Sequence, residues 1–144
     1  MAEPSSTSTA ASTAEPFDIM AFEDAESADL RIKHPITGAP TAMVVQLAGP
    51  EHPLRRSIVL ARQRRMRAQL AKTGAVQMTD PEDDAADDLE LLVASTLGWR
   101  GAAQPYSTAA VRELYADPRR RWLRDQVQAG LADRQLFTRS SAPA

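Results

Sequence analysis

The stretch HPLRRSIVLARQRRMRAQLAKTGAVQMTDPEDDAADDLELLVASTLGW, residues 52–99, decides how this chain folds. Its first half, Leu54 to Lys72, carries Arg55, Arg56, Arg62, Arg64, Arg65, Arg67 and Lys72, and no acid. Its second half, Asp80 to Glu90, carries Asp80, Glu82, Asp83, Asp84, Asp87, Asp88 and Glu90, and no base. Pro53 suits a first helical turn, Gly74 stops the first segment, and Asp80-Pro81 reads as an N-cap followed by a first-turn proline. Two helices folded back on each other would set the basic end of one beside the acidic start of the other. Each charge block also lies where the helix dipole favours it. Leu54, Ile58, Ala61, Met66 and Leu70 mark a narrow apolar face on the first helix, broken by Arg65. Leu89, Leu92, Val93, Thr96 and Leu97 mark a clearer one on the second, with Gly98 as its end.

Upstream, Asp29 to His34 alternates apolar and polar residues, the period of a half-buried strand. Pro35 to Pro40 is dense in turn residues, and Thr41 to Ala48 reads as a second strand. Together, residues 29–49 predict a β-hairpin that must pack on the helices or on another sheet edge. Downstream, residues 99–106 form a connector. Ser107 caps a third helix through Val111, Leu114 and Tyr115. Asp117-Pro118 opens a fourth through Trp122, Leu123, Val127 and Leu131. Gly130 inside that helix costs about 1 kcal/mol against Ala, so close packing or a weakened helix is expected there. The fold class is α+β, mainly α: an N-terminal hairpin followed by about four helices. Trp99, Tyr115, Trp122 and Phe137 are the expected core pins, and Trp122→Ala is expected to unfold the C-terminal helix pair at roughly 3–5 kcal/mol.

The 144 residues suit one domain, spanning 29–137, with the helical hairpin at 53–98 and the C-terminal helix pair at 107–137. Residues 1–28 hold six acids and no Lys or Arg, and read as a disordered acidic tail; residues 138–144 should fray. Met20 reads as an internal methionine rather than an alternative start. The absence of cysteine excludes disulfides and thiolate metal sites. No apolar run approaches the roughly 20 residues of a membrane span, and no secretory signal pattern opens the chain. A cytoplasmic protein without a membrane segment is the default.

Chemistry is sparse. His34 and His52 lie beside prolines at element ends, without a second His or an acid at ligand spacing, so both are expected in turns. The acid block lacks the alternating pattern of a calcium loop. Ser107 has no base near it. No catalytic, cofactor or metal site is expected, and the chain reads as a non-enzyme. The arginines carry the open question. Arg119, Arg120 and Arg121 occupy a first helical turn, where the dipole disfavours them, which points to a contact that offsets the cost. A partner protein is favoured over nucleic acid by the net charge of −2. Arg62, Arg65, Arg120 and Arg124 are the expected partner-binding residues.

From Thr96 the chain runs through Gly98-Trp99-Arg100-Gly101, Pro105-Tyr106-Ser107, Asp117-Pro118 with Trp122, and Asp133 with Phe137. With His34-Pro35-Ile36-Thr37-Gly38 in the hairpin, this resembles the tail assembly chaperones of tailed bacteriophages and prophages, over residues 29–137. The resemblance implies a non-enzymatic protein of the bacterial host cytoplasm, absent from the mature virion. It would bind the tape measure protein, the tail tube protein or both during assembly, with self-association left open. A structural virion component (neck, connector or minor tail protein) is the alternative, and a small nucleic-acid-binding regulator the third.

Overall fold

The computed structural model describes residues 15–74 and 80–141. The fold is α+β and mainly α. Alternating side chains carry Ser27–Lys33 (β2) and Pro40–Ala48 (β3) into an antiparallel hairpin, with Leu30 opposite Val45 and Asp29 opposite Gln46. His34 closes its loop: the imidazole Nδ1 accepts from the amides of Ile36 (3.1 Å) and Thr37 (3.2 Å). Gly38 supplies the left-handed residue at φ 76°.

Pro53–Thr73 forms α1 and Pro81–Ser95 forms α2. The His52 Nδ1 accepts from the Leu54 amide at α1's start, and Gly74 closes its end at φ 73°, donating to the Leu70 carbonyl. The Asp80 carboxylate accepts from the Glu82 amide and caps α2. Here the sequence expectation needs correction. Helix α2 stops at Ser95 rather than Gly98, and Thr96–Arg100 is a strand, β4. It pairs antiparallel with β3, Trp99 opposite Val45 and Gly98 opposite Gln46, so β3 is the central strand of the order β2-β3-β4. The aromatic ring of Trp99 meets Tyr106 edge-on at 5.3 Å, and its indole N–H donates to the Gln104 carbonyl.

Ser107 caps Thr108–Ala116 (α3), and Arg121–Ala132 forms α4. Asp117-Pro118 opens a single 3-10 turn, Pro118–Arg120, rather than the helix itself. A second turn, Arg134–Phe137, ends on the buried Phe137. The expected disordered tail and frayed end are both revised. Residues 19–21 make a 3-10 turn, and Phe22–Asp24 (β1) pairs antiparallel with Thr138–Ser140 (β5). Arg134 bonds Asp24 and Arg139 bonds Glu23 across that pair. The disorder expected of residues 1–14 and the fraying of 142–144 lie outside the described residues.

One face of the three-stranded sheet carries α2, α3 and α4. The core gathers Ile32, Val45 and Leu47 from the strands with Leu92, Val111, Tyr115, Leu123, Val127, Leu131 and Phe137. Trp122 does not join it. Its ring is 39% exposed, because α4 turns Leu123 and Val127 inward and leaves position 122 on the outer face. Gly130 is buried because α4 crosses the sheet there: an added Cβ would lie 2.9 Å from Leu30 Cδ2 and 3.2 Å from Leu47 Cδ1. Close packing, then, explains the glycine. In Gly130→Ala the helix gains about 1 kcal/mol of propensity and overpacking costs about 1–3. A net loss of roughly 1 kcal/mol is expected in a urea midpoint measurement, and a gain would mean the two leucines yield freely.

Tyr115 ties α3 to the strand that follows α2. Its hydroxyl shares a 2.8 Å hydrogen bond with Thr96 Oγ1, which itself reaches the Leu92 carbonyl. Burial pushes the Tyr115 phenol from 10.0 up to about 12, against the lowering effect of the Thr96 bond. A group raised on folding stabilises fully below its unfolded value and is lost as pH rises through its folded value. The fold should therefore weaken between pH 10 and about 12. Tyr115→Phe should remove that alkaline slope while costing roughly 1 kcal/mol at neutral pH. An unchanged slope in the variant would assign the effect to another group.

Candidate interaction surface

Helix α1 stands out because none of its 21 residues is buried. Its root is nonetheless anchored. Arg55 donates to the Ala48 carbonyl at 3.1 Å and to the Leu131 carbonyl at 3.0 Å, and its guanidinium lies 5.7 Å over the Phe137 ring. Partial burial lowers the Arg55 pKa. Beyond the root, α1 is held to α2 by charge. Arg62 sits among Asp84 (3.7 Å), Asp87 (3.8 Å) and Asp88 (3.4 Å), and Arg65 pairs with Asp87 at 3.1 Å. Exposed pairs of this kind contribute about 0–1 kcal/mol each, so they set the register of the hairpin more than its stability.

The predicted partner-binding arginines thus already have partners within the chain. Arg62 and Arg65 hold the hairpin together. Arg120 and Arg119 both engage the Asp117 carboxylate, and Arg121 pairs with Asp125 at 3.7 Å. The Arg119 amide and side chain, then Arg120, lower the Asp117 pKa. The offset that the arginine turn required comes from its own cap, so that turn gives no pointer to an outside partner. Arg124 reaches the Tyr115 carbonyl at 3.5 Å. The four also lie on different elements: Arg62 and Arg65 on α1, Arg120 in the 3-10 turn before α4, and Arg124 on α4.

Arg55 is taken by carbonyls rather than by an acid, and among the described residues Arg64, Arg67 and Lys72 of α1 are likewise without an ion pair. What α1 leaves apolar and exposed includes Val59, Met66 and Leu70. Those three fall at i, i+7 and i+11, one stripe of a 3.6-residue helix. Arg55 precedes Val59 by one turn on the same face. It also lines a cleft of about 170 Å³ with Leu91, Gln128 and Leu131, so the stripe runs into a shallow apolar notch at the root. The apolar face expected from sequence is split: Leu54 and Ala61 point to a different side from Met66 and Leu70. Val59 was the missed signal, visible in its spacing to Met66 and Leu70.

A second exposed apolar patch lies at Phe17, Ile19, Met20 and Phe22, ahead of β2. The rings of Phe17 and Phe22 stack at 5.7 Å, and Asp18 fixes the turn by accepting from the Met20 amide. Among the described residues no three His, Asp or Glu side chains are grouped to hold a metal ion, and no helix is long and apolar enough to cross a membrane. Comparison with protein-family models, curated proteins and solved structures finds no match for this chain.

Proposed function

We propose that this chain is a non-enzymatic assembly chaperone for the tail of a bacteriophage or prophage, and that α1 is the surface that receives its client. The observation that carries the reading is a 21-residue helix with no buried residue, held out on an ion-paired partner helix. A solvent-facing helix with an exposed apolar stripe, flanked on one side by Arg67, fits an amphipathic client laid along it. The resemblance over residues 29–137 supplies the client class, the tape measure or tail tube protein.

The edge of β2 favours this reading over a structural virion subunit. A subunit that adds its hairpin to a neighbour's sheet needs a free strand edge. The Gln126 side-chain amide both donates to the Lys33 carbonyl and accepts from the Lys33 amide, each at 2.9 Å. The Ala25 amide is taken by the Phe137 carbonyl just before β2 begins. That edge is closed at both ends.

The test is co-expression of the full chain with the tape measure and tail tube proteins, with proteomics of lysate and purified virions. Co-purification with either client and absence from virions is expected. Met66→Glu with Leu70→Glu should reduce client recovery at least about tenfold, since truncated anchors at an interface centre cost 2 kcal/mol or more. Both side chains are exposed, so the melting temperature should hold. Fixed stoichiometry in the virion would replace this reading with the structural one.

A further inference from the structure

We propose that the segment received by α1 is an amphipathic helix with basic residues along one edge and acidic residues along the other, and that the unlike margins of the stripe set the direction in which it lies. This rests on α1 being the client surface and adds the charge pattern of what binds there. Helical phase places the margins. With 3.6 residues per turn, Met66 and Leu70 fall within about 20° of Val59, Arg56 and Arg67 about 60–80° to one side, and Arg62 about 60° to the other. Arg64 and Lys72 fall on the far side of α1 and take no part.

The two margins differ in sign. Beyond Arg62 stands α2, with Asp84, Asp87 and Asp88. Asp88 is on the stripe's side of the seam, because it lines the root cleft together with Arg55. The three carboxylates meet two guanidinium groups, Arg62 and Arg65, so among the described residues this margin keeps a negative excess. On the other margin Arg56 is matched by Glu51 at 3.0 Å, while Arg67 has no ion pair among the described residues, which leaves a positive excess. Val59, Met66 and Leu70 lie exposed between the two. A helix laid on the stripe therefore meets an acidic wall along one edge and a basic wall along the other. Turned end for end, it keeps its apolar face down but exchanges its edges, and each then faces like charge. A two-signed helix thus has one favoured direction. A helix with a single sign on both edges is repelled along one of them whichever way it lies.

The experiment measures binding of the full chain to three synthetic helical peptides that share one leucine stripe. One has lysines on one edge and glutamates on the other, one has lysines on both, and one has glutamates on both. The two-signed peptide should bind at least about threefold tighter at low salt, with the difference fading as salt rises. Arg67→Glu makes both margins acidic, so it should move the preference to the lysine-edged peptide; circular dichroism checks that this exposed substitution keeps the fold. A paramagnetic label on one end of the two-signed peptide should broaden amides at one end of α1 only, and exchanging the peptide's edges should move the broadening to the other end. Equal affinity for the three peptides, a preference that Arg67→Glu leaves in place, broadening at both ends, or binding of no peptide would each overturn the proposal. Tail proteins retained through Met66 and Leu70 without any peptide preference would keep the client surface and remove its charge selection. Peptides sorted as expected while neither tail protein is retained would keep the charge selection and remove the tail reading.

Discussion

Gly101→Ala should cost more than about 3 kcal/mol, read as a lowered urea midpoint at unchanged slope. Two effects combine. Gly101 sits at φ +77°, a left-handed conformation that costs an L-residue roughly 1–2 kcal/mol. An added Cβ would also lie 1.9 Å from the Ala42 carbonyl oxygen and 2.6 Å from its carbon. Those are backbone atoms of β3, the central strand, so relief requires β3 and β4 to part. Gly38→Ala is the internal control: φ is +76°, and nothing lies within 4 Å of the added carbon. It should lose only about 1 kcal/mol. Equal losses for the two would show that strain alone operates and that β4 gives way at little cost.

Phe137→Ala should cost about 3–5 kcal/mol, the range for emptying a buried aromatic site. The ring is 1% exposed, packs in the main core and carries the Arg55 guanidinium. Its loss should also loosen the root of α1, read as faster amide exchange at residues 53–58. Trp122→Ala is expected to lose only about 1 kcal/mol, because a half-wet ring has less area to surrender. If the Trp122 variant proves the more damaging of the two, the outer face of α4 is covered in solution.

The parts of this fold that were readable in the sequence rest on local chemistry. Asp80-Pro81, Ser107 and Gly74 each mark a helix end through atoms within four residues, and alternation alone places Leu30, Ile32 and Val45 on one face. Strand β4 escaped because its evidence is distant. Thr96-Leu97-Gly98 continues helical spacing and ends on a glycine, and only pairing with Val44 to Leu47 makes it a strand. The pairs β1 and β5 are three exposed residues each, too short to show a period. The arginines misled for a related reason. The segregated charge blocks did place Arg62 and Arg65 beside the acids of α2, which argues against an outside partner for them, whereas nothing in the spacing shows that the cap residue Asp117 also holds Arg119 and Arg120. Trp122 looked like a pin because of its size, and the helical phase of Leu123 and Val127 was the better guide.

The β1–β5 ribbon has a consequence for synthesis. Glu23 and Arg139 are 116 positions apart. At roughly 5–20 residues per second, β1 leaves the ribosome some 6–23 s before its partner strand exists. Sheet β2-β3-β4 and the helices can form in that interval, because their pairings close earlier. The aromatic segment beside β1 therefore spends the whole of translation tethered but unplaced, in reach of whatever else the polysome is making.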